Sequence, residues 1–235
     1  MMPLLRRSLL AASLASALIV SVPVLAKDKL ETEKDKVSYM VGMQIGGSLT
    51  RIKDEIDITL VQQAMADALA GKDMKLSPEE AMQVQQAFAE KLQAKQAAEM
   101  QAMAEKNKKE GEAFLAKNKS ASGVKTTASG LQYQVITEGK GEKPSATDTV
   151  KVHYVGTLLD GTKFDSSIDR GQPAQFALNA VIPGWTEALQ LMPVGSKYKL
   201  WIPSDLAYGD RGTPGPIGPN STLQFEVELL EIVKQ

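Results

Sequence analysis

The 235-residue sequence predicts an α+β fold: an N-terminal all-α segment, then a C-terminal antiparallel β-sheet wrapped on one short helix. The first observation is periodicity, because apolar residues recur at helical spacing up to about residue 119 and alternate with polar residues from Leu131 onward. The second is the position of turn residues, since Gly- and Pro-rich turns separate the alternating segments and are almost absent before residue 119. The change of period indicates two differently built parts.

The amino-acid composition excludes several kinds of functional site. With 27 basic and 28 acidic residues, the net charge of −1 does not favour a nucleic-acid partner. The absence of cysteine excludes disulfides, metal thiolates and Cys nucleophiles. Since His153 is the single histidine, His clusters are excluded and any Ser-His-Asp triad would depend on that residue.

Residues 1–26 are predicted to be a signal peptide. Arg6 and Arg7 precede an apolar run too short for a membrane span, and Val24-Leu25-Ala26 offers a small-residue cleavage site. The general export route fits better than the twin-arginine route. The expected destination is the periplasm, with outer-membrane association or surface exposure left open.

Residues 27–76 are predicted to form a helical dimerisation domain. Val37, Met40 and Val41 lie on a broad apolar face, and Thr59 is the expected cap of a second helix ending at Gly71. Two short helices bury too little surface to be stable alone, so a second copy of the chain is the expected partner. Folding back onto the C-terminal domain is the alternative, and the methionines suit either a dimer core or an adaptable surface for unfolded chains.

Residues 77–119 predict one long connecting helix. Ser77-Pro78 followed by two acids is a strong helix start, and Gly111 is the only helix breaker in the next forty residues. Its apolar residues are too sparse for a sustained heptad seam, which favours a largely solvated rod over a two-stranded coiled coil. Residues 120–126 are predicted to be a linker.

Residues 127–235 carry the alternating strands and one helix after Pro183. Gly184 is expected to let the chain turn, which would place Trp185 on the first helical turn, entering the core. Simple core filling is the alternative role for that indole. This helix is the only cover expected for the sheet within the domain, and Trp201 is expected to face away, either exposed or covering the linker.

Five ordered motifs in this domain resemble a known family, the FKBP-type peptidyl-prolyl cis-trans isomerases. They are Val152-His153-Tyr154-Val155-Gly156, Gly161-Thr162-Lys163-Phe164-Asp165-Ser166-Ser167, Val181-Ile182-Pro183-Gly184-Trp185, Ala207-Tyr208-Gly209 and Phe225-Glu226-Val227-Glu228-Leu229-Leu230. The resemblance spans about residues 125–235. The signal peptide, Met-rich helices and long helix resemble the Mip-like, secreted, dimeric bacterial branch.

The resemblance implies isomerisation of Xaa-Pro bonds in proline-containing unfolded or exported polypeptides, without a cofactor. It places Trp185 at the floor of a pocket, with walls from Tyr154, Phe164, Phe176, Val181 and Phe225 and a lip from Ile217. The Ile182 N–H and the Tyr208 hydroxyl would hold substrate carbonyls, and Asp165, oriented by Tyr154 and Arg170, would lie beside the twisting amide. A surface ion pair is the alternative for Asp165 and Arg170.

Macrolide inhibitors of the family are candidate ligands by the same resemblance. The sequence departs from the family pattern at Ala174, Thr213 and Pro216, and the connection before Val181 is short. These departures alter the rim rather than the floor, so they bear on macrolide affinity and on preference for the residue before proline. A binding module or holdase chaperone is the competing function, and chaperone activity of a dimer could accompany isomerisation.

Overall fold

The structure, a computed structural model, describes residues 29–233 of the chain. The predicted signal peptide lies outside the described residues. The chain divides into two compact units, one ending at Ser77 and the other beginning at Pro78. Among the described helices, none combines the length and apolar character that crossing a bilayer requires.

The first unit contains helices α1 (Glu33–Leu49) and α2 (Ile58–Leu69), joined by a 3₁₀ helix at Thr50–Glu55. α1 begins with a capping box between Thr32 and Asp35. The predicted cap of α2 was wrong by two residues, because the Asp57 carboxylate accepts from the Thr59 and Leu60 amides. Gly71, with φ of 65°, follows the end of α2 as the sequence predicts.

The second unit begins with helix α3, Pro78–Asn118, which spans 41 residues without interruption. Gly111 does not break it. A Cβ at Gly111 would collide with the Thr222 hydroxyl, and Gly111 is the one buried residue among those described in α3. This glycine therefore serves close packing of the helix against the sheet.

All strand pairs described in the second unit are antiparallel, in the order β1-β2-β6-β7-β3-β4, with β5 also pairing with β3. The strands are β1 (Val124–Thr126), β2 (Gln132–Thr137), β3 (Thr149–Leu158), β4 (Lys163–Ser166), β5 (Ala174–Ala177), β6 (Lys197–Ile202) and β7 (Leu223–Val233). The segment expected to be a linker thus includes a strand, because β1 pairs with β2 at the sheet edge. The α+β fold class is confirmed.

One face of the sheet packs on helix α4, Pro183–Leu191. Pro183 occupies the first helical position, so the helix begins before Gly184 rather than after it. The expected turning role of Gly184 was wrong, since a Cβ there would collide with the Ile202 side chain. Small size, which allows α4 to approach β6 closely, is the reason for this glycine.

Part of the other face of the sheet is covered by α3, which precedes the 127–235 domain and was expected to be largely solvated. Trp201 points to this face, is only 5% exposed, and lies with its ring centroid 6.5 Å from that of Phe114. Gln132 bridges the same interface: its side-chain amide donates to the Leu115 carbonyl at 2.8 Å, and its oxygen accepts from Asn118 at 2.8 Å. The C-terminal part of α3 is therefore a packed layer, whereas its remaining turns are solvated.

Candidate functional site

A cavity of about 600 Å³ opens between α4, β3, β4, β7 and the loop before β7. Its lining brings together ten of the eleven side chains proposed from the sequence: Tyr154, Phe164, Asp165, Phe176, Val181, Ile182, Trp185, Tyr208, Ile217 and Phe225. The eleventh, Arg170, bonds to two of them from outside the cavity. Ala180, Thr213 and Pro216 complete the lining. In the sequence, Thr213 and Pro216 stand out only as departures from the family pattern, and no motif predicts Ala180 as a lining residue.

The floor is the indole of Trp185, which is 4% exposed. It makes edge-to-face contacts with Tyr154, Phe176 and Phe225 at centroid distances of 5.1, 5.4 and 5.2 Å. Such contacts stabilise aromatic pairs beyond simple burial. Its Nε1–H has no hydrogen-bond partner in the described part of the chain. The floor is thus a rigid apolar surface with one unused donor.

The cavity wall beside β3 depends on a glycine, Gly156, which leaves room for two aromatic rings. Phe164 and Phe225 pack edge-to-face at 5.5 Å, directly over Gly156. A Cβ at Gly156 would lie 2.6 Å from the Phe164 ring and 2.8 Å from the Phe225 ring, closer than carbon atoms pack. In the sequence, Gly156 has no distinguishing feature beyond its place in the Val152–Gly156 motif. Its role is to let the two rings close this side of the cavity.

The polar side of the cavity is a three-residue network. The Tyr154 hydroxyl donates to Asp165 Oδ2, and Arg170 forms an ion pair with Asp165 Oδ1 while donating to the Tyr154 oxygen at 2.9 Å. The Ser166 amide donates to Asp165 Oδ1 at 2.8 Å. The carboxylate is therefore fixed in direction at the cavity edge, whereas a free surface ion pair would leave it mobile.

This network also determines the protonation states of Asp165 and Tyr154. Partial burial acts to raise the pKa of Asp165, but the bonds from Tyr154, Arg170 and Ser166 outweigh it and hold the pKa below its usual range. Burial, together with the bond to Asp165, raises the pKa of the Tyr154 hydroxyl. At neutral pH the site therefore presents a carboxylate and a neutral phenol.

Two further polar groups lie at the cavity. The Ile182 carbonyl caps α4 by accepting from the Trp185 and Thr186 amides at 2.9 and 3.2 Å. Its own N–H makes no hydrogen bond within residues 29–233. The exposed Tyr208 also lines the cavity and follows the 3₁₀ turn Ser204–Leu206. The cavity thus has apolar walls and a few separated polar groups, which is typical of a ligand-binding pocket.

The family model for FKBP-type peptidyl-prolyl cis-trans isomerases matches residues 140–230, which include every residue of this cavity. The chain belongs to this family. A second model, for the domain amino-terminal to FKBP-type isomerases, matches residues 34–135 and therefore covers the described helical part. The chain is an FKBP-type peptidyl-prolyl cis-trans isomerase, and the resemblance read from the five motifs is confirmed.

Individual relatives place the chain in the Mip and FkpA branch. It is 45% identical over 219 residues to the outer membrane protein MIP of Legionella longbeachae, covering 92% of this chain and 94% of the relative. It is 47% identical over 215 residues to FkpA of Aeromonas hydrophila, covering 88% and 80% respectively. The crystal structure of FkpA from Escherichia coli matches with a TM-score of 0.71 at 42% identity, covering 87% of this chain and 98% of that one.

Proposed function

We propose that the aromatic cavity is the isomerase site and that it acts on proline-containing unfolded or exported polypeptides by desolvation and hydrogen bonding. Rotating an Xaa-Pro bond crosses a barrier of about 20 kcal/mol, because amide resonance is lost at the twisted geometry. No bond breaks, so no nucleophile is required. The observation that carries the proposal is the Trp185 floor, enclosed by three aromatic rings and bordered by an anchored carboxylate.

In this proposal the proline ring lies on Trp185 between Phe164, Phe176, Val181 and Phe225, with Ile217 at the lip. The apolar environment favours the twisted amide, which has the smaller dipole. The Ile182 N–H and the Tyr208 hydroxyl each hold a substrate carbonyl. Asp165, oriented by Tyr154 and Arg170, lies beside the twisting bond and stabilises charge that develops there. A 10⁵-fold acceleration requires about 7 kcal/mol of differential stabilisation.

A pair of tryptophan variants tests this assignment. Trp185→Leu removes the floor, whereas Trp201→Leu removes an equally buried indole from the opposite face of the sheet. In a peptide isomerisation assay we expect Trp185→Leu to lose at least about tenfold in kcat/KM and Trp201→Leu to stay within about twofold. Equal activities of the two variants would refute the assignment.

We further propose that residues 27–76 form a dimerisation domain, followed by a connecting helix at 77–119, a linker at 120–126 and the isomerase domain at 127–235. None of the residues described in α1 or α2 is buried within the single chain. Helices without a buried side chain lack a core, so their apolar surface needs a partner, and a second copy supplies it. The open space beside Gly42, Gly46 and Gly47 suits close helix contact in that dimer.

Two methionines with the same exposure test the dimer. Met40 in α1 and Met100 in α3 are both 48% exposed. Sedimentation of full-length variants should show that Met40→Glu weakens the dimer because it places a charge in the interface. Met100→Glu should leave the dimer intact. A monomeric unaltered chain would refute the proposal.

Chaperone activity of the dimer is the second candidate function, favoured by the many exposed methionines in the helical segments. Binding of unfolded clients by the helical segments does not require catalysis, so it would persist in a variant that lacks the Trp185 floor. We expect Trp185→Leu to protect an aggregating client as well as the unaltered chain does. Loss of protection together with isomerisation would assign both roles to the cavity.

For location we propose export to the periplasm by the signal peptide at residues 1–26, with outer-membrane or cell-surface association as an extension. The name of the Legionella relative supports that extension. N-terminal sequencing of the exported chain should begin at Lys27. Macrolide inhibitors of the family are proposed ligands of the cavity, with an affinity governed by the altered rim.

A further inference from the structure

The rim of the cavity is a closed loop with its own internal bonds. Residues 209–220 connect the 3₁₀ turn to β7 and contribute Thr213, Pro216 and Ile217 to the cavity lining. The Asn220 amide donates to the Gly209 carbonyl at 2.8 Å, and the Thr213 amide donates to the Ile217 carbonyl at 2.8 Å. Because these bonds close the loop at two levels, a displacement at its base shifts the residues that face the cavity.

The base of this loop is tied to helix α3. Asn107 Nδ2 donates to the Pro219 carbonyl at 2.8 Å and to Ser221 Oγ at 3.3 Å. One helical turn earlier, the Ala104 carbonyl accepts from Asn220 Nδ2 at 3.4 Å. Residues 103, 104 and 107 share one face of the helix, so α3 presents a continuous contact surface to the loop.

Behind the loop the packing is otherwise open. Pro216 lines the cavity on one side and, on the other, a hollow of about 380 Å³ bounded by Met103, Lys106 and Leu158. The loop therefore has room to retreat from the cavity. Its position depends on the bonds that Asn107 and Asn220 form between α3 and the base of the loop, and on the contact of Met103 with Gly218.

We propose that Asn107 of α3 is a positioning residue that holds the rim and thereby sets which residue before proline the enzyme accepts. The inference rests on the cavity being the isomerase site. Because the Pro216–Ile217 segment faces the substrate from the rim, its displacement changes the fit of side chains next to proline more than the contact with the proline ring. The long helix is thus part of the specificity of the enzyme.

The chain offers a matched control on the same helix. Asn118 Nδ2 donates to Gln132 Oε1 at 2.8 Å, so this side chain also docks α3, but on β2 and away from the cavity. Asn107→Leu and Asn118→Leu remove the same group at two places. A third variant, Asn220→Gly, removes the bond to Ala104 while suiting the φ of 55° that asparagine has there.

The experiment measures kcat and KM of each full-length variant on short peptides that carry either Ala or Leu before proline, together with thermal unfolding. We expect Asn107→Leu to change the Leu-to-Ala ratio of kcat/KM about threefold to tenfold. Asn220→Gly should change the ratio in the same direction, and Asn118→Leu should leave it unchanged. Such a change in preference would not follow from lower stability alone.

An unchanged ratio in both Asn107→Leu and Asn220→Gly would overturn the inference. If Asn107→Leu does not fold, Asn220→Gly decides alone. The proposed site is tested separately by Trp185→Leu: retained activity in that variant refutes the site itself. If Trp185→Leu loses activity while Asn107→Leu and Asn220→Gly keep the Leu-to-Ala ratio unchanged, only the role of α3 is refuted.

Discussion

Gly111→Ala sets two opposing effects against each other at the contact between α3 and the sheet. In an exposed helix, alanine is more favourable than glycine by about 1 kcal/mol. Here the added Cβ collides with the Thr222 hydroxyl and lies 3.4 Å from the Thr222 Cβ. Overpacking of this kind costs about 1–3 kcal/mol. The collision should win, so we expect the variant to be less stable by about 1 kcal/mol.

The assay is thermal unfolding followed by tryptophan fluorescence, because both tryptophans lie in the unit that begins at Pro78. A loss of about 1 kcal/mol lowers the Tm by ~2–4 °C in a domain of this size. Ala98→Gly, at an exposed position of α3, measures the propensity difference alone. Adding Thr222→Ala to Gly111→Ala removes the obstacle and should recover the loss. An increase in Tm for Gly111→Ala alone would refute the packing of α3 on the sheet.

Two further predictions concern the floor and the polar edge of the cavity. Gly184→Ala should lower the stability by about 1–3 kcal/mol, because its Cβ would collide with Ile202 and push α4 from β6; denaturant unfolding measures it. The pKa of Asp165 is lower in the folded than in the unfolded chain, so its ionised form stabilises the folded state. This stabilisation is complete above the unfolded pKa and is lost as the pH falls through the folded pKa. Between pH 7 and pH 2 the free energy of unfolding should therefore change less with pH in Asp165→Asn than in the unaltered chain.

Much of the cavity could be predicted from the sequence because its residues lie in short, ordered motifs. Phe164-Asp165 and Ile182-Pro183-Gly184-Trp185 each occupy a few consecutive positions, and local rules placed Trp185 on the first turn of α4. The strands were predictable because fully buried residues alternate with partly exposed ones along most of β3, β6 and β7. The family resemblance then predicted that the residues of these separate motifs line one pocket.

The docking of α3 could not be predicted in this way because its contacts join residues far apart in sequence. Asn107 and Pro219 are separated by 112 positions, and neither belongs to a periodic pattern. Gly111 has a low helix propensity, which local reasoning interprets as a break, whereas its small size serves the approach to Thr222. The same limit explains Gly184, where contact with Ile202 rather than backbone freedom requires glycine.

The most direct test of the isomerase site uses the two tryptophans of the chain as reporters. The Trp185 indole lines the cavity and its buried Nε1–H has no partner in the described chain, whereas Trp201 Nε1–H donates to Gln224 Oε1 at 2.9 Å on the other face of the sheet. A ¹⁵N-labelled full-length chain, titrated with a short Xaa-Pro peptide, should show a saturable shift of the Trp185 indole resonance and a nearly constant Trp201 resonance. Catalysed isomerisation without any shift at Trp185 would contradict the account.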